Sequence, residues 1–302
     1  MKKSNFFIVG APKCGTTALV EYLKPHPDVY FPFGQKEINY FGQDLKFGKK
    51  RNRKIEEKNY FTFYEKAKCE KRLGDASILN LYSKTAAQEI FNYNPMSKII
   101  IMLRNPVDMM FSHHSQLIFN ADEDIIDFEQ ALEMEKERQS GINIPKNTFI
   151  IDYLFYRKLA DFAPQVERYL DIFSQENVHI IIFDDFIKET PSEFKKILQF
   201  LKIDYSFTTE FSIVNPNKKS RLKSLQNILK HPPKAVLLLK TILPYNIRSI
   251  IKQELRKANT KYVKRNPIKD DLRRKLTIEF KPKIKKLEKV ISRDLSSWYK
   301  EV

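Results

Sequence analysis

The chain has 302 residues, of which 42% are hydrophobic and 13% aromatic, so it is long enough to bury a sizeable core. Two cysteines, Cys14 and Cys69, exclude a disulfide framework and suit a reducing compartment. No stretch approaches the ~20 apolar residues of a membrane span, and Met1 lies too close to the first predicted strand for a signal peptide. We therefore expect a soluble cytoplasmic protein.

The formal net charge is +17, and it is concentrated in the C-terminal third. Lysine and arginine occupy 14 positions from Lys218 to Arg265, where Glu254 is the only acidic residue. Such a field attracts polyanions, whether nucleic acid, an acidic membrane face or an anionic substrate. The alternative is a basic solvated face that has no partner.

The first predicted elements form a strand–loop–helix unit at the N-terminus. The apolar run Phe6–Val9 predicts a short buried strand, and the residues from Thr16 onward predict a helix. Gly10, Pro12 and Gly15 mark the loop between them. Because backbone N–H groups and the positive end of the helix dipole converge at such a loop, the unit predicts a phosphate-binding cradle.

The spacing of Gly10 and Gly15 matches the first half of a Walker A loop, but the second half departs from that motif. A nucleotide triphosphatase needs lysine and then serine or threonine directly after the second glycine. Here Thr16 and Thr17 stand at those positions, and the lysine has moved to mid-loop as Lys13. The alternative is an ordinary glycine-bearing turn with a solvated lysine.

The remaining predicted elements alternate between strands and helices. Strands are predicted over Val29–Phe31, Lys98–Leu103 and Val178–Phe183, and helices over Tyr60–Ala67, Ser83–Asn92, Val107–Phe119, Asp122–Gln139, Ile150–Phe173 and Pro191–Leu201. This order predicts the α/β class, with a central parallel sheet in a P-loop-type, three-layer α/β/α arrangement.

From Lys218 onward the pattern is basic and helical with no evident strand. It ends in an amphipathic helix over Leu272–Ile291, followed by Trp298 as a docking anchor. We expect a single domain, with an α/β core over residues 1–217 and a basic helical extension over residues 218–302. The apolar run Ala235–Leu243, interrupted by a lysine, either packs on that domain or lies on a membrane surface.

A second phosphate site is predicted at the end of the strand Lys98–Leu103. Arg104 follows this strand directly, and Ser112 lies eight residues later on the next helix. In open parallel sheets, ligands bind outside the carboxyl ends of the strands. An arginine fork and a hydroxyl at that edge can hold a phosphate, which suggests a nucleotide phosphorylated at both ends of its ribose. The alternative for Arg104 is an ion pair with Asp108.

Together these motifs resemble those of the sulfotransferases that use 3′-phosphoadenosine-5′-phosphosulfate (PAPS). The resemblance lies in Pro12–Thr17 and in Leu103–Asp108 with Ser112, and it extends to Phe183–Phe186 and Ser292–Trp298. It therefore covers nearly the whole chain. The likeness is closer to the glycan-modifying branch, the heparan-sulfate type of N- and O-sulfotransferase and its bacterial relatives.

The resemblance implies a set of donor-binding residues. These are Lys13, Cys14, Gly15, Thr16 and Thr17 at the 5′-phosphosulfate, Arg104 and Ser112 at the 3′-phosphate, and Lys219 and Arg221 on a basic loop that closes over that phosphate. No metal ion is implied, because fixed cations can hold the phosphates and the sequence shows no ligand cluster.

The resemblance also implies the acceptor side of the site. Glu37 matches the place of the general base in the glycan branch, and Lys36 either neutralises sulfuryl oxygens or is simply exposed. Asp75 and Ser77 occupy a substrate-side position where relatives carry a Glu/Lys-Ser motif, and the departure at Asp75 leaves their role open. The small-molecule branch uses a histidine at a later position. We interpret His113 and His114, which adjoin Ser112, as helix residues without a catalytic role.

The expected reaction moves a sulfuryl group from PAPS to a hydroxyl or amine, on a saccharide or glycolipid that carries anionic charge. Negative charge develops on the bridging oxygen of the departing 5′-phosphate, which Lys13 and the loop N–H groups are placed to stabilise. Glu37 would take the proton of the acceptor. The expected location is the cytoplasm. The basic C-terminal region would either hold an anionic acceptor or contact the inner face of the membrane.

Two other functions compete with this interpretation. One is a P-loop kinase, in which the strand Val178–Phe183 and Asp184 imitate a Walker B strand with its magnesium-binding carboxylate. The lysine missing after Gly15 and the second phosphate site at Arg104 disfavour it. The other is a non-enzymatic nucleic-acid binder, which would leave the phosphate loop unexplained and has no recognisable binding motif. We therefore expect no nucleic-acid partner.

Overall fold

A computed structural model describes residues 2–34, 37–48, 55–212, 218–222, 225, 228, 251, 254–255, 258–263 and 266–300. Lys36 and the apolar run Ala235–Leu243, for which the sequence predicts roles, lie outside the described residues.

Parallel pairing joins five strands into one sheet. They are β1 (Phe6–Gly10), β2 (Val29–Tyr30), β3 (Arg72–Asp75), β4 (Lys98–Leu103) and β5 (Val178–Ile182), in the spatial order β2-β3-β1-β4-β5. Every residue of β1 and of β4 is buried, which explains the apolar runs Phe6–Val9 and Ile99–Leu103 within them.

Helices cover both faces of the sheet. The described α-helices are α1 (Thr16–Leu23), α2 (Glu57–Thr62), α3 (Ala86–Tyr93), α4 (Pro106–Asn120), α5 (Phe128–Glu133), α6 (Glu135–Gln139), α7 (Tyr156–Leu159), α8 (Phe162–Ile172), α9 (Phe183–Lys188), α10 (Thr190–Phe200) and α11 (Asp270–Ile291). Short 3-10 helices lie at Ile151–Leu154, Gln175–Asn177 and Ser296–Trp298. The predicted three-layer α/β/α class is confirmed.

Packing between the helices separates the two outer layers. Tyr22 of α1 packs its ring against Phe186 of α9 and Phe194 of α10. On the other layer, α8 contacts α3 and α11, and α11 also contacts α4. The C-terminal helix is therefore built into the same body as the sheet.

The strand order places a topological switch point between β1 and β4. The chain leaves β1 towards β2 and β3 on one side, and it leaves β4 towards β5 on the other. The crevice outside the carboxyl ends of two such strands is where open α/β sheets bind ligands. The glycine-bearing loop follows β1, and Arg104 follows β4, so both predicted phosphate sites open into this crevice.

Three segments of the core differ from the elements predicted for them. Strand β3 has no counterpart among the predicted strands, because its four residues include a glycine and two charged side chains and form no apolar run. The helix predicted over Asp122–Gln139 begins only at Phe128 and breaks between α5 and α6. The helix predicted over Ile150–Phe173 is instead a 3-10 turn followed by α7 and α8.

The basic extension also contains strands that the sequence did not reveal. β6 (Lys218–Ser220) pairs antiparallel with β7 (Thr260–Tyr262), which corrects the expectation of a purely helical C-terminal part. Asn259 extends this pairing, because its backbone carbonyl accepts from the Arg221 N–H at 2.8 Å. Each strand has only three residues and a mostly polar composition, so no alternating pattern marks it.

Candidate active site

The loop after β1 is shaped by backbone conformations that favour glycine. Gly15 has φ +90° and immediately precedes α1, and an added Cβ there would lie 2.9 Å from the Phe183 ring. Lys13 also adopts a left-handed conformation, with φ +62°. The Ala11 N–H donates to the Met102 carbonyl at 2.8 Å, which ties the loop to β4. The loop is therefore held in a compact turn ahead of the helix N-terminus.

Arg104 lies against this loop. Its guanidinium stacks over the Phe183 ring, 4.8 Å from the ring centroid, and Nη1 lies 3.5 Å from the Lys13 carbonyl oxygen, at the long limit of a hydrogen bond. The alternative partner Asp108 is instead paired with Arg273 of α11 at 2.7 Å. The two predicted phosphate sites thus meet at adjacent strand ends.

Helix α4 begins directly after Arg104 because of its capping residues. Asn105 is the N-cap, and its side-chain oxygen accepts from the Val107 N–H at 2.9 Å. Pro106 occupies the first helical position, where its fixed φ suits the helix. This abrupt strand-to-helix change holds Arg104 at the rim of the crevice.

One face of α4 carries Ser112 and Gln116. Ser112 is buried, and Gln116 follows it by one helical turn. The Gln116 side-chain oxygen accepts from Lys13 Nζ at 3.3 Å. Gln116 was not among the predicted site residues, although its i+4 spacing from Ser112 could have indicated the shared face.

The two histidines beside Ser112 are buried and bonded to backbone carbonyls. His113 Nε2 donates to the Tyr153 carbonyl at 3.0 Å, and His114 Nε2 donates to that of Ile125 at 2.9 Å. Burial lowers the pKa of His113 to about 3, and it lowers the pKa of His114 as well. Both rings are therefore weak bases whose Nε2–H groups are held by backbone carbonyls, which agrees with a structural role and disfavours either as the general base.

Glu37 lies half-buried in the segment between β2 and α2. Its Oε2 accepts a hydrogen bond from the Tyr153 hydroxyl at 3.2 Å. No local pattern marks Tyr153, which is 116 positions away in the chain. This contact brings the predicted base to the same group of residues that His113 anchors on α4.

Asp75 and Ser77 stand at the carboxyl end of β3 and bond to protein groups. Asp75 accepts from the Ser77 hydroxyl at 2.5 Å and from the Tyr60 hydroxyl at 2.9 Å, while Ser77 accepts from the Asn39 N–H at 2.9 Å. Burial raises the pKa of Asp75, and the Glu37 carboxylate adds to that rise. Through the bond to Asn39, Asp75 and Ser77 hold the segment that carries Glu37. Direct contact of either residue with an acceptor stays a prediction.

Cys14 is part of the loop, but its thiol is unreactive. Its thiol is fully buried and lies 3.4 Å from the Pro12 carbonyl oxygen. Burial raises the pKa of Cys14 to about 12, although the Arg104 charge opposes the rise. The thiol stays protonated, so what Cys14 can offer an anion is its backbone N–H.

The predicted basic loop coincides with β6 and the residue after it. β6 contacts α4, the helix that carries Ser112, and Arg221 is exposed directly after the strand. Lys219 pairs through its backbone with Lys261 of β7. This placement leaves Lys219 and Arg221 as predicted contacts of the phosphate at Ser112.

The C-terminal segment ties together the ends of β4 and β5. The Trp298 indole N–H donates to Asp184 at 2.9 Å, and its carbonyl accepts from the Asn105 amide at 3.1 Å. Arg293 forms an ion pair with Asp185. The carboxylate that imitates a Walker B residue is thus engaged by tryptophan, and the predicted docking role of Trp298 is confirmed.

Two features are absent from the part of the chain that the structure describes. No group of three or more His, Cys, Asp or Glu side chains there could hold a metal ion. No helix among the same residues is long and apolar enough to cross a membrane.

A phosphate-type loop and an arginine lie together at the switch point of an α/β sheet, the place where sheets of this kind bind ligands. Comparison with known families matches residues 3–287 to the family described as sulfotransferase domain. Since the match spans nearly the whole chain, the chain belongs to the sulfotransferase family. The family predicted from the two motifs is thereby confirmed.

Individual relatives agree with this assignment. The crystal structure of a sulfotransferase from Alicyclobacillus acidocaldarius matches with a TM-score of 0.73 and 28% identity, covering 99% of each chain. The heparan sulfate glucosamine 3-O-sulfotransferase 5 of Homo sapiens is 24% identical over 200 residues, which is 65% of this chain and 52% of that protein. The membrane-associated sulfotransferase kil1 of Dictyostelium discoideum is 30% identical over 110 residues, 36% of this chain and 22% of that protein. The chain thus matches only part of the length of either curated relative.

Proposed function

We propose that the protein transfers the sulfuryl group of PAPS to a hydroxyl or amine on a saccharide or glycolipid. The observation that carries this proposal is the meeting of the Lys13 loop and Arg104 at adjacent strand ends, with Arg104 Nη1 3.5 Å from the Lys13 carbonyl. In the proposed complex the loop residues Lys13–Thr17 hold the 5′-phosphosulfate, and Arg104 with Ser112 holds the 3′-phosphate. Lys219 and Arg221 would close over the latter.

The proposed reaction is an in-line displacement at sulfur. The acceptor oxygen or nitrogen forms a bond to sulfur while the bond from sulfur to the bridging oxygen breaks. That oxygen keeps the electron pair, so adenosine 3′,5′-bisphosphate leaves, and the acceptor proton passes to Glu37. Lys13 stabilises the charge on the departing phosphate. Because fixed cations do this work, we propose that no metal ion is required.

The structure favours this function over a P-loop kinase. A kinase of that type would need Asp184 to hold magnesium, but Asp184 accepts from the Trp298 indole at 2.9 Å. Lys13 is in mid-loop, where it contacts Gln116 at 3.3 Å, and not directly after Gly15. The saccharide acceptor is supported by the match to a heparan sulfate glucosamine 3-O-sulfotransferase.

The two-phosphate arrangement is tested by nucleotide binding. We expect Arg104→Ala to weaken binding of adenosine 3′,5′-bisphosphate by about 10–100-fold, because a charge-assisted contact is lost. Binding of adenosine 5′-monophosphate, which lacks the 3′-phosphate, should be nearly unchanged. Titration calorimetry measures both, and Arg293→Ala, which removes an arginine paired with Asp185 near the same edge, is the control. If Arg104→Ala lost the same affinity for both nucleotides, Arg104 would not be the residue that binds the 3′-phosphate.

We also propose that residues 1–217 and 218–302 form one domain located in the cytoplasm. Ion pairs join α11 to the core, including Arg273 with Asp108 at 2.7 Å and Lys286 with Glu167 at 2.6 Å. Burial of Trp298 against the strand ends adds to this attachment.

A further part of the proposal is that the basic C-terminal part contacts an acidic membrane face. Arg274, Ile278, Lys281 and Lys285 are exposed and recur at helical spacing, so they share the outward face of α11. Leu222, which is exposed, directly follows the basic residues Lys218, Lys219 and Arg221 in the sequence. Cations mixed with apolar side chains suit an anionic lipid surface.

Membrane contact is tested by co-sedimentation with vesicles. We expect binding to vesicles that contain phosphatidylserine and not to vesicles of phosphatidylcholine alone. A variant with Arg274→Glu, Lys281→Glu and Lys285→Glu should bind at least about 10-fold more weakly, because each basic residue near the surface contributes about 1 kcal/mol. Equal recovery with both vesicle types, or no loss in the variant, would contradict the proposal.

A further inference from the structure

The described residues around Glu37 form no helix or strand, so its carboxylate depends on neighbouring side chains for orientation. Among the residues that the structure describes, the next helix or strand after Glu37 is α2, which begins twenty residues further along the chain. A catalytic group is effective only when contacts around it fix its rotamer and direction. Tyr153, from a different part of the chain, contacts the Glu37 carboxylate with its hydroxyl 3.2 Å from Oε2.

Tyr153 is itself held from the opposite side. Its carbonyl oxygen accepts from His113 Nε2 at 3.0 Å, and the two rings pack edge to face with centroids 5.0 Å apart. His113 is buried on α4 next to Ser112. The phenol therefore projects towards Glu37 from a 3-10 turn that is fastened to the helix of the predicted 3′-phosphate site.

Protonation states suit a one-way hydrogen bond. Burial raises the pKa of Tyr153 well above its usual value, and the Glu37 carboxylate raises it further. Burial also keeps the His113 ring neutral, with its Nε2–H donated to the carbonyl. The phenol thus keeps its proton and can only donate to an ionised Glu37, which favours the charged form of that carboxylate.

We propose that Tyr153 is a positioning residue that orients the Glu37 carboxylate and keeps it ionised for proton abstraction. This inference rests on the proposed role of Glu37 as the base. It also assigns a function to the chain of contacts from Glu37 through Tyr153 to His113. Through α4 this chain links the acceptor side of the site to Gln116 and Lys13 on the donor side.

The test is the pH dependence of turnover in Tyr153→Phe, which removes the hydroxyl and leaves the ring. Loss of a hydrogen bond to the charged form makes the base protonate more readily. The acid limb of the kcat profile should then move to higher pH by about one unit. On that acid limb kcat should fall by up to about 10-fold relative to the wild type and recover as the pH rises, while KM for PAPS stays unchanged.

Two charged groups that the structure describes around Glu37 and His113 keep their contacts when the Tyr153 hydroxyl is removed. Asp75, at the end of β3, interacts electrostatically with Glu37, and its own bonds to Ser77 and Tyr60 are untouched by the variant. Lys13 acts on His113 from the donor side. Because neither loses a hydrogen-bond partner in Tyr153→Phe, a shift of the acid limb would report on the lost hydroxyl.

A matched control exists three residues along the chain. Tyr156 is buried and donates to the Glu123 carboxylate at 2.7 Å, so Tyr156→Phe removes the same group from a carboxylate outside the site. We expect Tyr156→Phe to lower thermal stability and leave the pH profile in place. A Tyr153→Phe profile that coincides with the wild type, or the same shift in both variants, would overturn the inference.

A double variant separates this inference from the proposed role of Glu37. If Glu37 is the base, Glu37→Gln should lose most turnover, and adding Tyr153→Phe should cause no further loss. If Glu37→Gln retains activity, the base has been assigned wrongly. If Glu37→Gln is inactive but Tyr153→Phe keeps the wild-type rate and pH profile, the base stands and the positioning role of Tyr153 fails.

Discussion

Replacing Lys13 with alanine is expected to lower kcat for sulfuryl transfer by about 10²–10³-fold, the usual loss when one preorganised charge-stabilising donor is removed. The ammonium group sits at the mouth of the β1 loop, 3.3 Å from the Gln116 amide oxygen and beside the turn that precedes α1. Charge builds up on the bridging oxygen only as the sulfur bond breaks, so the loss should fall mainly on kcat. Initial rates with saturating PAPS measure it.

Lys24→Ala is a suitable control for this prediction. Lys24 follows α1, is exposed and pairs with Glu21, so the variant removes the same charge outside the crevice. Its kcat should equal that of the wild type, and thermal unfolding should show both variants folded. A Lys13→Ala enzyme with normal kcat and only a raised KM would mean that Lys13 binds the donor equally in the ground and transition states.

Replacing Glu37 with glutamine should lower turnover by about 10²–10⁴-fold, because general-base catalysis typically contributes that much. Glutamine keeps the size of the side chain and still accepts a hydrogen bond from Tyr153, but it cannot take the acceptor proton. Affinity for adenosine 3′,5′-bisphosphate should be unchanged, since the predicted phosphate contacts lie on the loop after β1, at the end of β4, on α4 and at β6. Single-turnover rates and calorimetry together measure both quantities.

The chain offers a second carboxylate that supports the same segment without facing the site. Glu89 of α3 accepts from the Gly42 N–H at 2.7 Å and from the Gln43 N–H at 3.0 Å. Glu89→Gln therefore perturbs the segment that carries Glu37 while leaving the base in place, and it should retain most activity. Full activity in Glu37→Gln would instead show that another group accepts the proton.

The central part of the fold was predictable because its strands are fully buried. Uninterrupted apolar runs identify β1 and β4, and the residue that follows each strand must lie at the carboxyl edge of the sheet. That rule is enough to bring Lys13 and Arg104 together. Short strands such as β3 and β6 lack any such run. They become strands only through pairing with β1 and β7, which are distant in sequence, so no local pattern predicts them.

Buried charge explains one of the larger errors in predicting the helices. The acidic pattern over Asp122–Gln139 predicts one continuous amphipathic helix, with its charged residues facing solvent. Instead Glu123 and Arg138 turn inward and form a fully buried ion pair at 2.6 Å, with the Tyr156 hydroxyl on the same carboxylate. A local pattern cannot distinguish a charge that faces solvent from one whose partner lies elsewhere in the fold.

The acceptor side of the site was the least predictable for the same reason. Glu37 could be proposed only through the family resemblance, and Tyr153 carries no local signal at all. Their contact arises because the segment after β2 and the 3-10 turn before α7 meet across the fold. Gln116 was within reach of the sequence, since helical spacing from Ser112 places it on the same face.

The most direct test of the proposed function is to supply the purified protein with PAPS labelled on sulfur and a panel of glycans, glycolipids and phenols. We predict that label passes to a saccharide-bearing acceptor, with one adenosine 3′,5′-bisphosphate released for each sulfuryl group transferred. Glu37→Gln should abolish the labelling in the same assay. Turnover of ATP with Mg²⁺, together with no labelled acceptor and no release of adenosine 3′,5′-bisphosphate, would contradict it.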